Sequence, residues 1–468
     1  MADRVMLQRW FAPDVSSDET YSAARWIWLR ALGCIFLSAF LSLAFRIQGL
    51  IGPRGILPAG DYLRAAKSAL GWKAYWLAPT LLWIDAGRGA LTALVVVGCV
   101  ASLAIIINVC PRVATGIAMI AFLSFVAAAQ DFAAYQSDGM LMEGAFLTLF
   151  LAPRPSRASV WLLRWEWFRI YFESGLVKIL SGEPQWRDLT AMDRYYENGP
   201  LPTWIGWHVQ QLPHGFHAAT AAFTLLVEIF LCWIIFFGRR SRIGVFLITT
   251  PLQIGIILTA NYAFLNYLVL FLGIFLLDDR VLRRTPAPAA NARVLPAAIL
   301  LTTHFVTTAF MFLIPTFPPA LLLEPTRIVN NYGLFAVMTR ARYELEFQGT
   351  RDGATWIAYP FRCKPQDPKQ RPGIYAPYQP RFDWNLWFAS LGDVESYPWV
   401  MNVQVRLLEN EPDVLRLFAA NPFAAEPPRA VRVVRWQYWF TTTEERRRTG
   451  AWWRRELRDE YAPALQRR

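Results

Sequence analysis

Long apolar runs separated by short polar connections fill the first two thirds of the chain. Roughly 20 apolar residues in a helix cross the hydrocarbon core of a bilayer, and a helix satisfies its own backbone hydrogen bonds there. The pattern therefore predicts a polytopic α-helical bundle of about nine transmembrane helices, near residues 27–46, 91–109, 113–130, 138–152, 160–181, 217–238, 243–260, 262–278 and 294–316. The fourth run is short, and the stretch 243–278 can be divided in other ways.

The pattern changes after Pro318, where apolar residues begin to alternate with polar ones. Alternation with a period of two predicts strands over 342–349, 355–361 and 431–440, and wider spacing predicts helices over 382–391 and 411–420. We therefore predict an α+β domain of roughly 140 residues, a usual domain size. The predicted organisation is an N-terminal segment 1–26, a membrane domain 27–316 with interfacial loops 47–90 and 182–216, and an α+β domain 317–468.

Short clusters of arginine lie between the apolar runs, and they set the predicted orientation. Cytoplasmic loops of membrane proteins are enriched in Lys and Arg. With nine spans and a cytoplasmic N-terminus, all the clusters fall in cytoplasmic loops: Arg154 and Arg157; Arg239, Arg240 and Arg242; Arg280, Arg283, Arg284 and Arg293. Both interfacial loops and the α+β domain are then extracytoplasmic.

Composition supports a membrane protein and excludes several function classes. Of 468 residues, 55% are hydrophobic and 18% charged, against about a quarter charged in soluble proteins. The net charge of +12 is spread over separate loops, so we expect no nucleic-acid partner. There is no zinc-ligand spacing, CxxC pair, P-loop or GxSxG motif. We therefore expect no metal, no disulfide exchange, no ATP-driven work and no lipase activity of its own.

Ionisable residues inside the predicted spans are the first candidates for a site, because charges in lipid are costly and need partners or a function. They are Asp138, Glu143, Arg169 and Glu228. Arg169 and Glu173 are spaced to pair on one helix. For the acids we expect partners such as Arg169, His217 or Lys178 across the bundle. Lys178 lies near the extracytoplasmic end of its span, where a lysine can also extend its ammonium group to the interface.

Several long blocks resemble the lipase maturation factor family, in the family's order. In the membrane part they are GLIGPRGILP, QSDGMLMEGAFL, FRIYFESGLVKI, WRDLTAMDRYYENGPLP and NYAFLNYL; in the domain they include IVNNYGL, PYQPRFDWNLWF, LLENEPDVLRLF and VRVVRWQYWF. Ser137 departs from the family, where a Trp is expected. The resemblance implies a membrane protein that assists folding and assembly of secreted lipases in the endoplasmic reticulum. Because the chain is compact and has no Asn-x-Ser/Thr sequon or KDEL-like signal, we expect a homologue in a bacterial inner membrane, with the domain in the periplasm.

A second, fainter resemblance is to vitamin K-dependent γ-glutamyl carboxylases, carried by YFESGLVKILSGEPQW. Lys178 matches a lysine that acts there as a base on a hydroquinone, and Val177 replaces a second lysine. This resemblance implies an alternative function, a quinone-dependent membrane enzyme with Lys178 as base and Glu173 or His208 as further catalytic candidates. Quinone is the cofactor of that alternative; the main interpretation requires none.

The main interpretation is an assembly factor without turnover chemistry, whose partners are a secreted lipase-like client and membrane lipid. We expect the client to contact the aromatic extracytoplasmic belt (residues 182–216) and the segment 377–384. The candidate residues are Trp186, Arg187, Asp188, Tyr195, Tyr196, Glu197, Pro377, Gln379, Arg381, Asp383 and Trp384.

Overall fold

A helix occupies each of the nine predicted spans in the computed structural model, which describes residues 20–133, 135–151, 155–283, 294–314 and 316–467. We number these helices α1 Ser22–Ala44, α2 Arg88–Ile106, α3 Pro111–Ala128, α4 Gln136–Thr148, α5 Arg157–Leu180, α6 His214–Ile229, α7 Arg239–Thr259, α8 Leu265–Leu272 and α9 Val294–Phe310. Two of them continue as 3-10 helix, α6 over Leu231–Phe237 and α8 over Gly273–Leu276.

Five of these helices are long and apolar enough to cross a membrane: α1, α2, α3, α6 with its 3-10 continuation, and α7. The helix α4 has 13 residues, and α8 and α9 are shorter apolar helices. The helix α5 has 24 residues but carries buried charged side chains. The predicted number of nine spans therefore stays a prediction beyond these five.

The helices α1, α2 and α3 form the first half of the bundle. A Cβ atom on Gly98 would lie 2.3 Å from the ring of Phe40, so only glycine lets α2 approach α1 this closely. Phe122 of α3 meets the rings of Phe36 and Phe40 edge-on, at centroid distances of 6.0 and 5.8 Å. Such edge-to-face packing suits aromatic side chains.

Short helices connect the long ones on the side that the charge pattern predicts to be extracytoplasmic. In the first interfacial loop they are Ile47–Ile51, Ala59–Leu70, Lys73–Leu77 and the 3-10 turn Leu81–Trp83; in the belt they are Pro184–Arg187, Tyr195–Asn198 and Trp204–Gln210. The remaining short helices of the membrane part are Gln130–Ala133 and Asp279–Leu282. Two more, Pro318–Leu323 and Glu324–Thr326, lie in the linker, residues 318–341, which leads from the bundle to the sheet of the domain.

The domain after the linker is built on one antiparallel sheet of order β2-β1-β3-β4. The strands are β1 Arg342–Thr350, β2 Ile357–Ala358, β3 Ala430–Phe440 and β4 Trp453–Gln466, and the helices are α10 Arg381–Ser390, α11 Trp399–Leu408, the short Pro412–Leu415 and α12 Thr443–Thr449. The helix α10 packs against β1, and α11 against β3 and β4. The α+β class is as predicted.

The sequence pattern missed three elements of this domain. The longest strand, β4, carries charged side chains on both faces and is mostly exposed, so it shows no alternation. The helix predicted over 411–420 is only the turn Pro412–Leu415, and the full helix α11 precedes it. The helix α12 has no buried residue. A capping box between Thr442 and Glu445 and a left-handed Gly450 at φ 73° fix its two ends, as such caps do.

Candidate functional site

A buried ion-pair network lies in the centre of the bundle. The Arg169 guanidinium on α5 donates to Glu143 of α4 at 2.7 Å and to Glu173, one turn further along α5, at 2.9 Å. All three residues are almost fully buried. The predicted pairing of Arg169 with Glu173 is present, and Glu143 is the second partner.

The linker between bundle and domain completes this network. The backbone N–H of Tyr332 donates to Glu173 at 2.7 Å, and the Tyr332 hydroxyl donates to Glu143 at 2.7 Å. Arg169 also donates to the backbone carbonyl of Asn330. The side-chain amide of Asn330 donates in turn to the backbone carbonyl of Gly139 at 3.0 Å. The segment that leads into the domain is therefore held inside the membrane part by charged hydrogen bonds, which are stronger than neutral ones.

One acidic and one basic side chain beside the network, Glu166 and His304, are not among the site candidates that the sequence gives. Glu166 is fully buried, and neither of its carboxylate oxygens has a hydrogen-bond partner within the part of the chain that the structure describes. The Nε2 atom of His304 lies 3.2 Å from a carboxylate oxygen of Glu143. The helical position of Glu166, three residues before Arg169, was the available signal.

Lys178 forms an ion pair with Glu228 of α6. Its ammonium group donates to the two Glu228 carboxylate oxygens at 3.0 and 2.7 Å and to the carbonyl of Leu334 at 2.9 Å. An ammonium group has three protons to donate, and these contacts use all three. All the protons of the Lys178 ammonium group are therefore held in hydrogen bonds in this structure. A catalytic base needs instead a free lone pair on the nitrogen that faces its substrate.

The three catalytic candidates of the alternative function have separate surroundings. Glu173 is bound by Arg169 and the linker. His208 is exposed, and its ring packs against Trp207 and Trp452 at centroid distances of 4.9 and 6.3 Å. No contact among Lys178, Glu173 and His208 occurs in the described residues that would make them one catalytic group.

A cavity of about 460 Å³ lies beside the Lys178–Glu228 pair. Its walls come from α5, α6, α7 and α8, and belt side chains and two linker residues, Leu334 and Phe335, complete the lining. Most of the lining is aromatic or aliphatic, with Lys178 and Glu228 as the charged members. Such a volume and lining are typical of sites for small apolar ligands.

Two further buried ion pairs join the domain to the bundle. Arg381 donates to both carboxylate oxygens of Asp138 on α4, at 2.9 and 2.7 Å. Arg46, just after α1, donates to Asp383 at 2.7 Å. All four side chains are at most 6% exposed. Trp384 stacks on Tyr135 with ring centroids 5.0 Å apart, so the segment 377–384 is a docking element between the two parts.

The comparisons with known proteins match both parts of the chain. Residues 23–284 match the lipase maturation factor transmembrane domain, and residues 328–463 match the lipase maturation factor C-terminal domain. The chain belongs to the lipase maturation factor family. Lipase maturation factor 1 of Bos taurus is 31% identical, over 96% of this chain and 90% of that protein. Human lipase maturation factor 1 is 30% identical over 95% and 88%. Lipase maturation factor 2 of Rattus norvegicus is 29% identical over 94% and 82%. No solved structure matches.

In this family member, the client-contact residues predicted in the segment 377–384 are mostly inaccessible. Gln379, Arg381, Asp383 and Trp384 are buried, and Pro377 is half-buried. A side chain without accessible surface cannot touch a client in this conformation. The charges of Arg381 and Asp383 serve the docking of the lipase maturation factor C-terminal domain on the transmembrane domain.

The belt is likewise tied to the domain of this lipase maturation factor homologue. Trp186 donates its indole N–H to the carbonyl of Phe335 at 2.9 Å, and Glu197 accepts the backbone N–H of Phe440 at 2.9 Å. The buried guanidinium of Arg342 donates to belt carbonyls, including Glu197 at 2.9 Å and Pro200 at 3.1 Å. Among the predicted belt residues, Tyr195 and Tyr196 are buried as well, and only Arg187 and Asp188 are exposed.

One cysteine, Cys363, lies in the C-terminal domain of this lipase maturation factor homologue. Cys363 is a half-buried free thiol; burial and the nearby Asp383 raise its pKa to about 12. Since the thiolate is the reactive species, this thiol is unreactive near neutral pH. Over the described ranges, no cluster of three His, Cys, Asp or Glu side chains is arranged to hold a metal ion.

Proposed function

We propose that this chain assists the folding and assembly of a secreted lipase on the extracytoplasmic side of a membrane. The observation that carries the proposal is the extent of the family match. The chain contains the transmembrane domain and then the C-terminal domain of lipase maturation factors, and relatives of that name align with 94–96% of it. An incompletely folded lipase exposes apolar surface through which it can aggregate, and binding to this chain would prevent that.

The orientation of the bundle supports an extracytoplasmic domain. Arg239 pairs with Asp278 at one end of the bundle, where Asp279 also accepts the backbone N–H groups of Ser22 and Ala23 at the start of α1. At the opposite end of α1, Arg46 contacts the domain. Because arginine clusters favour the cytoplasmic side, we infer a cytoplasmic N-terminus and a domain on the other face.

The client surface that we propose is the exposed part of the belt, at Arg187 and Asp188. The other candidate residues of the belt are buried, so these two are the predicted belt contacts that a partner can reach. Arg187 ends the short helix Pro184–Arg187 and Asp188 comes directly after it, and Trp186 fixes this helix to the linker. Because the backbone at this point is held by Trp186, a client that binds there needs to order only the two side chains.

The test is the specific activity of a secreted lipase, measured as activity per unit of lipase antigen, in cells with and without this chain. We expect specific activity to fall when the chain is absent. We expect the Arg187→Ala/Asp188→Ala variant to lower it at least about threefold, the ~0.7 kcal/mol scale of exposed polar contacts, with an unchanged melting temperature.

The matched control is Arg64→Ala/Asp61→Ala, which removes an exposed arginine–aspartate pair from the other interfacial loop. This control should support full lipase activity. Equal specific activity with and without the chain would contradict the proposed function. Loss with the control variant, or none with the belt variant, would contradict the proposed surface alone.

A further inference from the structure

We propose that the cavity beside Lys178 binds an acyl chain of a membrane lipid. The cavity of about 460 Å³ lies among α5, α6, α7 and α8, in a range of volume that suits a small ligand. The proposal concerns lipid binding by the membrane part and does not depend on a client.

The mouth of the cavity faces the bilayer. Phe216 and Phe223 of α6 line the cavity and are 44% and 38% exposed. Pro251 and Gly255 of α7 also line it and are exposed. Both helices are apolar enough to cross a membrane, so surface that they expose at this depth meets lipid chains. The opening between them is a lateral entrance from the bilayer.

The belt and linker close the other end. Trp186, Tyr195 and Tyr196 from the belt and Leu334 and Phe335 from the linker line the cavity there, and the belt residues among them are buried. Buried aromatic side chains therefore cover the cavity on the side of the belt, whereas exposed residues of α6 and α7 leave it open on the side of the bilayer. A membrane lipid reaches the cavity through that open side.

The polar groups of the wall specify an uncharged occupant. Lys178 has its three protons engaged by Glu228 and Leu334, and the pair is neutral as a whole. The hydroxyls of Thr220, Thr224 and Thr259 donate to carbonyls of their own helices at 2.8–2.9 Å.

The wall amides are also internally satisfied. Asn266 donates to Gln253 at 2.8 Å, and Gln253 donates to the Tyr171 hydroxyl at 2.7 Å. A wall whose polar atoms are satisfied among themselves gains little from an anionic or hydrogen-bonding group. It gains from burying apolar surface, which is what an acyl chain supplies, while the headgroup stays at the mouth.

The experiment places the full-length protein in phosphatidylcholine nanodiscs that contain a phosphatidylcholine with a photoreactive diazirine in its acyl chain. After irradiation, labelled residues are identified by peptide mass spectrometry. We expect labels on cavity-lining residues of α5 and α8, such as Ile170 and Val269, which are buried from the bulk bilayer at 3% and 2% exposure.

A pair of glycine substitutions on one helix provides the blocking variant and its control. A Cβ atom at Gly255 or at Gly244 meets no atom within 4 Å, so a side chain can begin at either position without a backbone clash. Gly255 lines the cavity, and Gly244 is absent from its lining. Gly255→Trp should lower labelling of the cavity residues about tenfold, equivalent to ~1.4 kcal/mol, whereas Gly244→Trp should leave it unchanged.

Two outcomes would overturn the proposal. Labelling confined to outward-facing residues such as Ile107 and Val113 would mean that lipid contacts only the surface of the bundle. Equal cavity labelling in Gly255→Trp and wild type, with both folded by their melting temperatures, would mean that the mouth is elsewhere and the assignment wrong. Neither outcome bears on lipase maturation.

Discussion

Lys178 and Glu228 form a neutral pair inside the bundle, and each carries the charge that the other needs. Removing one partner of a buried ion pair leaves an uncompensated charge and costs ~3–5 kcal/mol, whereas replacing both with apolar side chains of similar volume is often neutral. We therefore expect Lys178→Ala to lower the melting temperature in detergent clearly. The double variant Lys178→Met/Glu228→Leu should restore it and should retain lipase maturation, because the pair is structural.

The double variant also separates this role from base catalysis by Lys178. A base cannot be replaced by methionine, so an enzyme that depends on Lys178 would lose its activity even when the fold is intact. A double variant with the wild-type melting temperature and no lipase maturation would therefore contradict the structural role. The single variant alone cannot distinguish the two, since it is expected to be unstable.

At the scale of elements, the short helix Ile47–Ile51 approaches the domain through a glycine. A Cβ atom on Gly49 would lie 2.4 Å from the backbone carbonyl oxygen of Asp413 and 3.0 Å from Leu417. Because a backbone atom cannot yield as a flexible side chain does, Gly49→Ala should destabilise the protein by ~1–3 kcal/mol. Thermal unfolding in detergent measures the effect.

The control for this element is Gly116→Ala in α3, where a Cβ atom meets nothing within 4 Å. Alanine favours a helix over glycine by up to ~1 kcal/mol, so this variant should be as stable as the wild type or more so. A stabilising effect of both substitutions would contradict the close packing of Gly49 against the backbone of Asp413.

The elements also show where a sequence pattern stops being informative. The membrane helices were predictable because lipid imposes long apolar runs, and β1 and β3 because β-branched and aromatic side chains recur along both strands. The edge strand β4 has mixed charges such as Arg454, Glu456 and Asp459 over its exposed positions. Charged edges of this kind prevent unwanted strand pairing, and the same charges remove the alternation by which a strand is recognised.

At the scale of the whole molecule, the site residues were easier to predict than their partners. The sequence indicates that Asp138 needs a cation, but its partner Arg381 lies 243 residues away in the domain. Arg342, which binds the belt carbonyls, gave no signal because a charged residue at the start of a strand is ordinary. Long-range pairs of this kind depend on the docked arrangement of two domains, and no local spacing encodes them.

The domain and the bundle should consequently be one folding unit. Without residues beyond 317, Asp138 would lose Arg381, and Arg169 would lose Asn330. Glu173 would lose the N–H of Tyr332, and Lys178 would lose the carbonyl of Leu334. Buried charges left without partners cost several kcal/mol each, against a typical total stability of ~5–15 kcal/mol.

A chain truncated after residue 317 should therefore insert into membranes but fail to give a monodisperse, cooperatively melting protein in detergent. Size-exclusion chromatography and thermal unfolding check this. The companion variant Arg381→Met/Asp138→Leu in the full chain removes one docking pair without leaving an unpaired buried charge. It should stay folded, with a smaller decrease in melting temperature.

A truncated chain with the full-length melting temperature would show that the bundle is stable alone. Loss of lipase maturation on truncation would then report the domain's own contribution, whereas an unfolded bundle would make that loss uninformative.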